Sequence, residues 1–202
     1  FDLSKSLSAE AFYQYEWENT VIDPSGTYFS TSDFAGLGGE HVFLAFASFP
    51  DTGETPWFVQ PAVSRPFMGV PHGTDREPKD GGQYGAALRW FASGLGGTEF
   101  GFYYVNYHSR LPVVNALTGT LQGAAAAQAA GPAAGRNVYI RFGVPPGANP
   151  TVDALAQAAG TAAATDAYAS TARYFFSYPE DLKMYGLSWN ATLGTSGVAF
   201  QG

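Results

Sequence analysis

Apolar and polar residues alternate with a period of two in five stretches of the chain. In LSAEAFYQYEWEN (7–19), Leu7, Ala9, Ala11, Tyr13, Tyr15 and Trp17 share one face, and Ser8, Glu10, Phe12, Gln14, Glu16 and Glu18 share the other. A helix would scramble that order, whereas successive side chains of a strand point to opposite sides. QYGAALRWF repeats the pattern, with Tyr84, Ala86, Leu88 and Trp90 set against Gln83, Gly85, Ala87 and Arg89. In EFGFYYVNYHS, Phe100, Phe102 and Tyr104 oppose Glu99, Gly101 and Tyr103. In MYGLSWNAT, Tyr185, Leu187 and Trp189 oppose Gly186, Ser188 and Asn190, and GVAFQG opens a fifth strand with Val198 and Phe200 on one side. The expected strands are 7–19, 83–92, 99–109, 183–192 and 197–202.

The connections alternate as well. SGLGGT (93–98) joins the second and third strands, and a turn around Leu193 to Ser196 joins the fourth and fifth, while 20–82 and 110–182 are long. Short turns alternating with long loops are the rhythm of an outer-membrane barrel. Strands near ten residues, with aromatics towards the ends of the apolar face, suit a tilted crossing of hydrocarbon. A soluble β-sandwich with one wet face explains the alternation equally well. It explains less well why Gly85, Gly101 and Gly186 stand on the presumed wet face. The expected fold is all-β: a segment of an antiparallel transmembrane β-barrel, of about five strands, with residues 1–202 forming part of one barrel domain.

The long segments differ in character. Residues 19–82 are punctuated by Pro and Gly (VIDPSG, AGLGGE, SFPDTGETP), and HVFLAF (41–46) reads as a short loop strand or a piece folded into the barrel mouth. Residues 123–134 and 152–172 are Ala-rich. Thr151 is a candidate N-cap, and Val152, Leu155, Ala156 and Ala159 lie along one side of the helix it would start. Short Ala-rich helices leaning on the barrel are expected in the external loop, one interrupted near Gly160, with flexible low-complexity insertions as the alternative.

Composition narrows the class. The 202 residues include 16 Phe, 12 Tyr and 4 Trp but only 13% charged residues and no cysteine. A disordered acidic tail lacks such aromatics, and a disulfide scaffold needs cysteines. The net charge of -7 argues against nucleic acid as a partner. Sparse charge has a cause if alternate strand positions face lipid. The chain opens at Phe1 with no signal segment and stops after an alternating run, so an internal portion of a longer protein is expected. Five strands cannot close a barrel, because the smallest bacterial ones use eight and an open edge in hydrocarbon strands its amides. The remaining strands are expected from the rest of a longer chain.

Candidate chemistry is thin. Arg89 falls at the depth of Glu10 and Glu99, and a lumen ion pair between Arg89 and one of these glutamates is expected. Glu16 and Glu18 would stand roughly 6–7 Å apart on one strand face, a separation that glycosidase carboxylates share. Nothing near them marks a sugar cleft, so they read as lumen or rim charges. His41, His72 and His108 lack metal-ligand spacing, and no metal site is expected. Asp75, Glu77 and Asp80 in DREPKDGG miss the EF-hand pattern and interleave with Arg76 and Lys79, which reads as a solvated loop or a contact with ions bridging lipopolysaccharide. Glu180 and Asp181 in YPEDLK sit where the chain re-enters the barrel, with Pro179 marking a turn. There is no G-x-S-x-G, P-loop or cysteine, so no catalytic residue, enzyme activity or cofactor is expected. The candidate ligand-binding residues are Phe43, Phe46, Trp57, Phe58 and Phe67 in the first long loop, with His108 at the external end of a strand. Desolvation of apolar surface would drive binding there; packing of the loop onto the barrel is the alternative use of these rings.

The strings YFSTSDFAGLGGEHVFLAF, GGQYGAALRW, TEFGFYYVNYHSRLP and ARYFFSYPEDLKMYGLSWNATLGTSG resemble a family of Gram-negative outer-membrane proteins catalogued as a domain of unknown function. YHSRLP and YPEDLKMYGLS are the most specific pieces, and the match is interrupted near 121–135 and 145–165. Members are associated with alkane uptake and with gene neighbourhoods for degrading hydrophobic compounds. The resemblance implies a porin-like barrel in the outer membrane, in contact with lipid and lipopolysaccharide, that binds or passively admits a hydrophobic small molecule. A structural or adhesive surface protein with a plugged barrel is the alternative. Members are longer, with a signal peptide and further strands on both sides, and the family offers no catalytic residues to carry over.

Overall fold

The computed structural model describes residues 1–44, 69–192 and 198–202. Among them the element order is β1 (Asp2–Ser4), β2 (Leu7–Gln14), β3 (His41–Phe43), β4 (Gly69–Pro71), β5 (Gln83–Ala92), β6 (Thr98–Tyr107), β7 (Val113–Leu117), α1 (Leu121–Phe142), α2 (Pro150–Ala169), β8 (Arg173–Ser177), β9 (Leu182–Thr192) and β10 (Ala199–Gln201). The chain divides into two compact units, the first comprising 1–20, 76–113 and 177–202, the second 21–75 and 114–176.

The first unit is a six-stranded sheet in the order β1-β2-β5-β6-β9-β10, antiparallel throughout. Its register joins the apolar positions of each strand into rows. Leu7, Trp90, Phe100 and Trp189 pair across four strands, followed by Ala9, Leu88, Phe102 and Leu187, and then by Ala11, Ala86, Tyr104 and Tyr185. A last row, Tyr13, Tyr84, Asn106 and Lys183, ends this aromatic face. Neighbouring rings touch: Trp90 stacks on Phe100 with centroids 5.7 Å apart, and Tyr104 meets Tyr185 at 5.1 Å. The face is nevertheless open, with Leu187 65% and Tyr185 75% exposed.

The opposite, polar face explains its own glycines. Phe12 pairs with Gly85, and its ring lies where a Gly85 side chain would stand. Tyr103 likewise covers Gly101 and Gly186, and its hydroxyl is 3.1 Å from Ser188 Oγ. An aromatic ring laid over a bare neighbouring backbone fills the space a glycine leaves on a sheet.

Two features of this sheet differ from the sequence expectation. A short sixth strand, β1, pairs with β2 through a bulge, and three residues are too few to show alternation. The stretch expected at 7–19 is a strand only to Gln14. Beyond it Trp17 turns inward, 8% exposed, so Trp17 is not part of the apolar face and Glu16 and Glu18 share no strand. The edges β1 and β10 do not pair, so the described residues form an open sheet, in line with the expectation that so few strands cannot close a barrel.

The second unit holds two helices and two small strand pairs, β3 with β4 and β7 with β8, so the all-β expectation fails there. The helices are long, 22 and 20 residues, and α2 runs unbroken through Gly160. Thr120 caps α1 by accepting the Gly123 N–H at 3.0 Å. Asn149, not Thr151, caps α2, its side chain accepting the Thr151 N–H at 2.9 Å with Pro150 in the first turn. That placement is favourable, since proline loses nothing where the N–H has no helical partner. Gly160 is there for contact with α1: a Cβ on it would lie 3.0 Å from the Gly131 carbonyl oxygen, and one on Gly131 would lie 3.2 Å from that of Gly160. The two helices therefore pack on each other at backbone distance. No helix among the described residues is long and apolar enough to cross a membrane.

Candidate functional site

The long connections all leave the first unit at one end of its sheet, at Gln14, Gln83, Tyr107 and Leu182. A polar knot, buried at His108, Gln83 and Asn106 and open at Lys79 and Asp181, ties that end together. His108, next after β6, is 1% exposed. Its Nδ1 accepts the Asp181 N–H at 3.0 Å, which assigns the ring proton to Nε2, the atom 3.0 Å from the Gly81 carbonyl. The His108 N–H donates to Gln83 Oε1 at 3.2 Å, while Gln83 Nε2 is buried without a hydrogen-bond partner. Asn106 Nδ2 donates to the Gly82 carbonyl at 2.8 Å and to Asp181 Oδ1 at 3.1 Å, and Lys79 Nζ donates to Asp181 Oδ2 at 3.1 Å. These contacts set the charges. The Asn106 amide and the Lys79 ammonium hold the Asp181 carboxyl below its ordinary value, and Asp181 raises that of Lys79.

Trp17 completes the knot. Its indole N–H donates to the Ser109 carbonyl at 3.2 Å, its backbone N–H to Asp80 Oδ1 at 3.4 Å, and its ring meets Tyr178 edge-on at 4.8 Å. Asn19 Nδ2 donates to the Tyr178 hydroxyl at 3.2 Å, and the Ser109 N–H donates to the Pro179 carbonyl at 2.9 Å. The two sequence pieces YHSRLP and YPEDLK are thus each other's partners. His108, expected at a ligand site, instead has both ring nitrogens engaged and no open surface; it clasps two loops.

The polar face of the sheet carries the other charges. Arg89 Nη2 stands 3.5 Å from Glu10 Oε2, diagonal neighbours on β5 and β2. Glu99, Asn190 and Gln201 form one cross-strand row near the short turns. With Ser188 and Gly101 they line a recess of about 450 Å³. Glu16 lies past the end of β2 and is exposed, away from that row. Among the apolar ligand candidates, Phe43 lies in β3, half-buried; Phe46, Trp57, Phe58 and Phe67 fall outside the described residues.

The second unit contains a cluster that sequence reading missed. His72 Nε2 is 2.8 Å from Asp75 Oδ1, and Nδ1 is 3.2 Å from the Gly39 carbonyl. The imidazole stacks on Tyr174 at 4.6 Å, and the Tyr174 hydroxyl donates to the carbonyls of Phe34 and Gly39 at 3.0 and 3.2 Å. Asp75 Oδ1 also accepts the Phe176 N–H at 2.8 Å, so this carboxylate anchors β8 rather than lying in a solvated loop. Burial pushes the Tyr174 hydroxyl above its ordinary value. The local signal was His72 three residues before Asp75; the ring beneath them comes from β8 and has no sequence neighbour to announce it. No group of three or more metal-ligating side chains occurs among the described residues.

No curated protein and no solved structure matches the chain. A family model described as "Protein of unknown function (DUF1302)" matches residues 1–202. The chain, matched from end to end, belongs to this family of proteins of unknown function.

Proposed function

We propose that the six-stranded sheet is part of a barrel in the outer membrane of a Gram-negative bacterium, and that the barrel binds or passively admits hydrophobic small molecules. The observation that carries this reading is the open aromatic face. Its rows run from Tyr13 and Tyr84 at the long-loop end, through Ala, Leu and Phe, to Trp90 and Trp189 at the short-turn end. Aromatic girdles around an aliphatic middle are what the two interfaces of a bilayer favour. From the Lys183 row to the Ala191–Phe200 pair is eight residues of β9, about 27 Å along a strand, close to the band a membrane barrel presents. A soluble sheet would cover so large an apolar face. Amides left unpaired in hydrocarbon cost several kcal/mol each. The edges β1 and β10 therefore call for further strands, supplied by more of the same chain. Support for a hydrophobic molecule comes from one apolar row on the polar face, Phe12, Val105 and Met184, which lies next to the Gln14–Gln83 pair at the long-loop end.

The test uses full-length protein reconstituted in vesicles of lipid brominated along the acyl chain. Fluorescence of variants retaining only Trp90 or only Trp189 should be strongly quenched, and that of a variant retaining only Trp17 should not. Equal quenching of all three, or of none, refutes the membrane reading. Deleting the gene should slow growth on an alkane or a similar substrate; unchanged uptake of every hydrophobic compound tested would sink the transport reading.

A further inference from the structure

The polar face of the sheet is not uniform along its length. Nearest the short turns stands the row Phe91, Glu99, Asn190 and Gln201, its β5 member an aromatic ring and the other three polar, followed by Ser8, Arg89, Gly101 and Ser188. Glu10, Ala87, Tyr103 and Gly186 come next, and then the character changes to Phe12, Gly85, Val105 and Met184. Six residues of β6 separate Glu99 from Val105, about 20 Å along the strand. Between the Glu99 row and the Phe12 row the face therefore passes from mainly hydrogen-bonding to apolar, before the Gln14–Gln83 pair returns beside Tyr107 and Leu182 at the long-loop end.

Charge at the polar end is also specific. Arg89 is engaged by Glu10 at 3.5 Å. Glu99 lines the 450 Å³ recess together with Ser188, Asn190 and Gln201, whose side chains are uncharged. A carboxylate only accepts hydrogen bonds, whereas the two amides and the hydroxyl both donate and accept. An incoming group must therefore donate to Glu99, and an anionic one is repelled there.

We infer that this face takes an amphiphile with an apolar chain and an uncharged, hydrogen-bond-donating head, of which a long-chain alcohol is the simplest case. The inference rests on the barrel reading above, which makes this face the interior. The head lies against Glu99, Asn190 and Gln201, and the chain extends over Ala87 and the Tyr103 ring that covers Gly186, towards Phe12, Val105 and Met184. A plain alkane gains only the apolar half of the site. A fatty carboxylate sets its negative charge beside Glu99, with the nearby guanidinium already paired.

The experiment is displacement of N-phenylnaphthylamine, an uncharged fluorophore, from full-length protein in nanodiscs by dodecanol, dodecane and dodecanoate. Dodecanol should displace it at about tenfold lower concentration than either of the others, the worth of one hydrogen bond to a charged acceptor. The isosteric variant Glu99→Gln should bring dodecanoate close to dodecanol, and Glu99→Leu should remove the advantage of the alcohol over the alkane. Dodecanoate competing as well as dodecanol on the unmodified protein overturns the inference. So does an order of affinities that Glu99→Leu leaves unchanged. Brominated-lipid quenching of Trp90 and Trp189 on the same preparation separates the two levels: with quenching intact, a failed displacement order removes this inference alone, and without quenching the barrel reading falls beneath it.

Discussion

The N–H of Asp181 donates to Nδ1 of His108 at 3.0 Å, although Asp181 sits at φ +51°, the one described non-glycine residue with positive φ. The left-handed conformation turns the chain back into β9 and aims that N–H at the imidazole; Asp and Asn tolerate it better than most residues. Replacing His108 by Ala leaves the Asp181 N–H and the Gly81 carbonyl without their partner and opens a hole in a fully covered spot. The expected loss is about 3 kcal/mol of stability, read from urea unfolding of the full-length protein in micelles. A loss under 1 kcal/mol would mean that the knot does not hold the loops.

Asp181→Ala and Asp181→Gly test the backbone separately from the carboxylate. Both lose the bonds to Asn106 and Lys79, but only alanine also carries a Cβ in the left-handed region. The alanine variant should unfold at lower urea than the glycine variant. Equal midpoints would show that the turn is not held at positive φ.

The same carboxylate gives the knot a pH dependence. Asp181 has its carboxyl lowered from 3.8 by Asn106 and then by Lys79, so its contribution is fully present above the ordinary value and is lost as pH falls through the lowered one. Lys79 works at the other limit. Raised from 10.5 by Asp181, it contributes below that value and ceases to do so as pH climbs past the raised one. Unfolding midpoints should therefore fall below about pH 4 and above about pH 10.5, and Asp181→Asn should flatten both limbs. An unaltered acid limb in that variant would assign the acid sensitivity to other carboxylates.

How much of this was readable in the sequence depends on whether the cause was local. The register of β5 was legible because its side chains keep one two-sided rule from Gln83 to Trp90; Phe91 departs from it, an aromatic on the polar face opposite Glu99. The end of β2 was not, because Tyr15 and Trp17 keep the period while Trp17 is drawn inward by Ser109, 92 residues later. Gly160 read as a break because glycine weakens an isolated helix; its reason is Gly131, on a different helix. YHSRLP and YPEDLK stood out as distinctive strings, but no spacing announces that His108 of one accepts a bond from Asp181 of the other. The expected ion pairing of Arg89 needed only neighbouring strands, and Glu10 is there.

Gly160 gives a graded test of the helix pair. A Cβ there meets the Gly131 carbonyl at 3.0 Å, so the neighbour must give by a few tenths of an ångström. Alanine gains about 1 kcal/mol of helix propensity over glycine, which offsets that crowding, and Gly160→Ala should be nearly neutral. Gly160→Val adds two methyl groups at the same point and should cost about 2 kcal/mol, with faster proteolysis of residues 121–169. Similar effects from the two variants would mean that the helices do not meet at this glycine.

Phe12 and Gly85 offer a test in which the sign of an effect reverses. The Phe12 ring occupies the space a Gly85 side chain would need. Gly85→Ala on its own must push that ring aside and should cost about 1–2 kcal/mol. Phe12→Ala removes the ring and bares the glycine backbone, and should also destabilise. In the Phe12→Ala background the obstacle is gone, and an alanine at 85 is a better strand residue than glycine. Gly85→Ala should then stabilise by a few tenths of a kcal/mol. The double-mutant cycle in micelles therefore predicts a coupling of about 1–2 kcal/mol between the two positions. Additive effects would show that the ring does not lie over Gly85. The glycines of the polar face would then need another explanation.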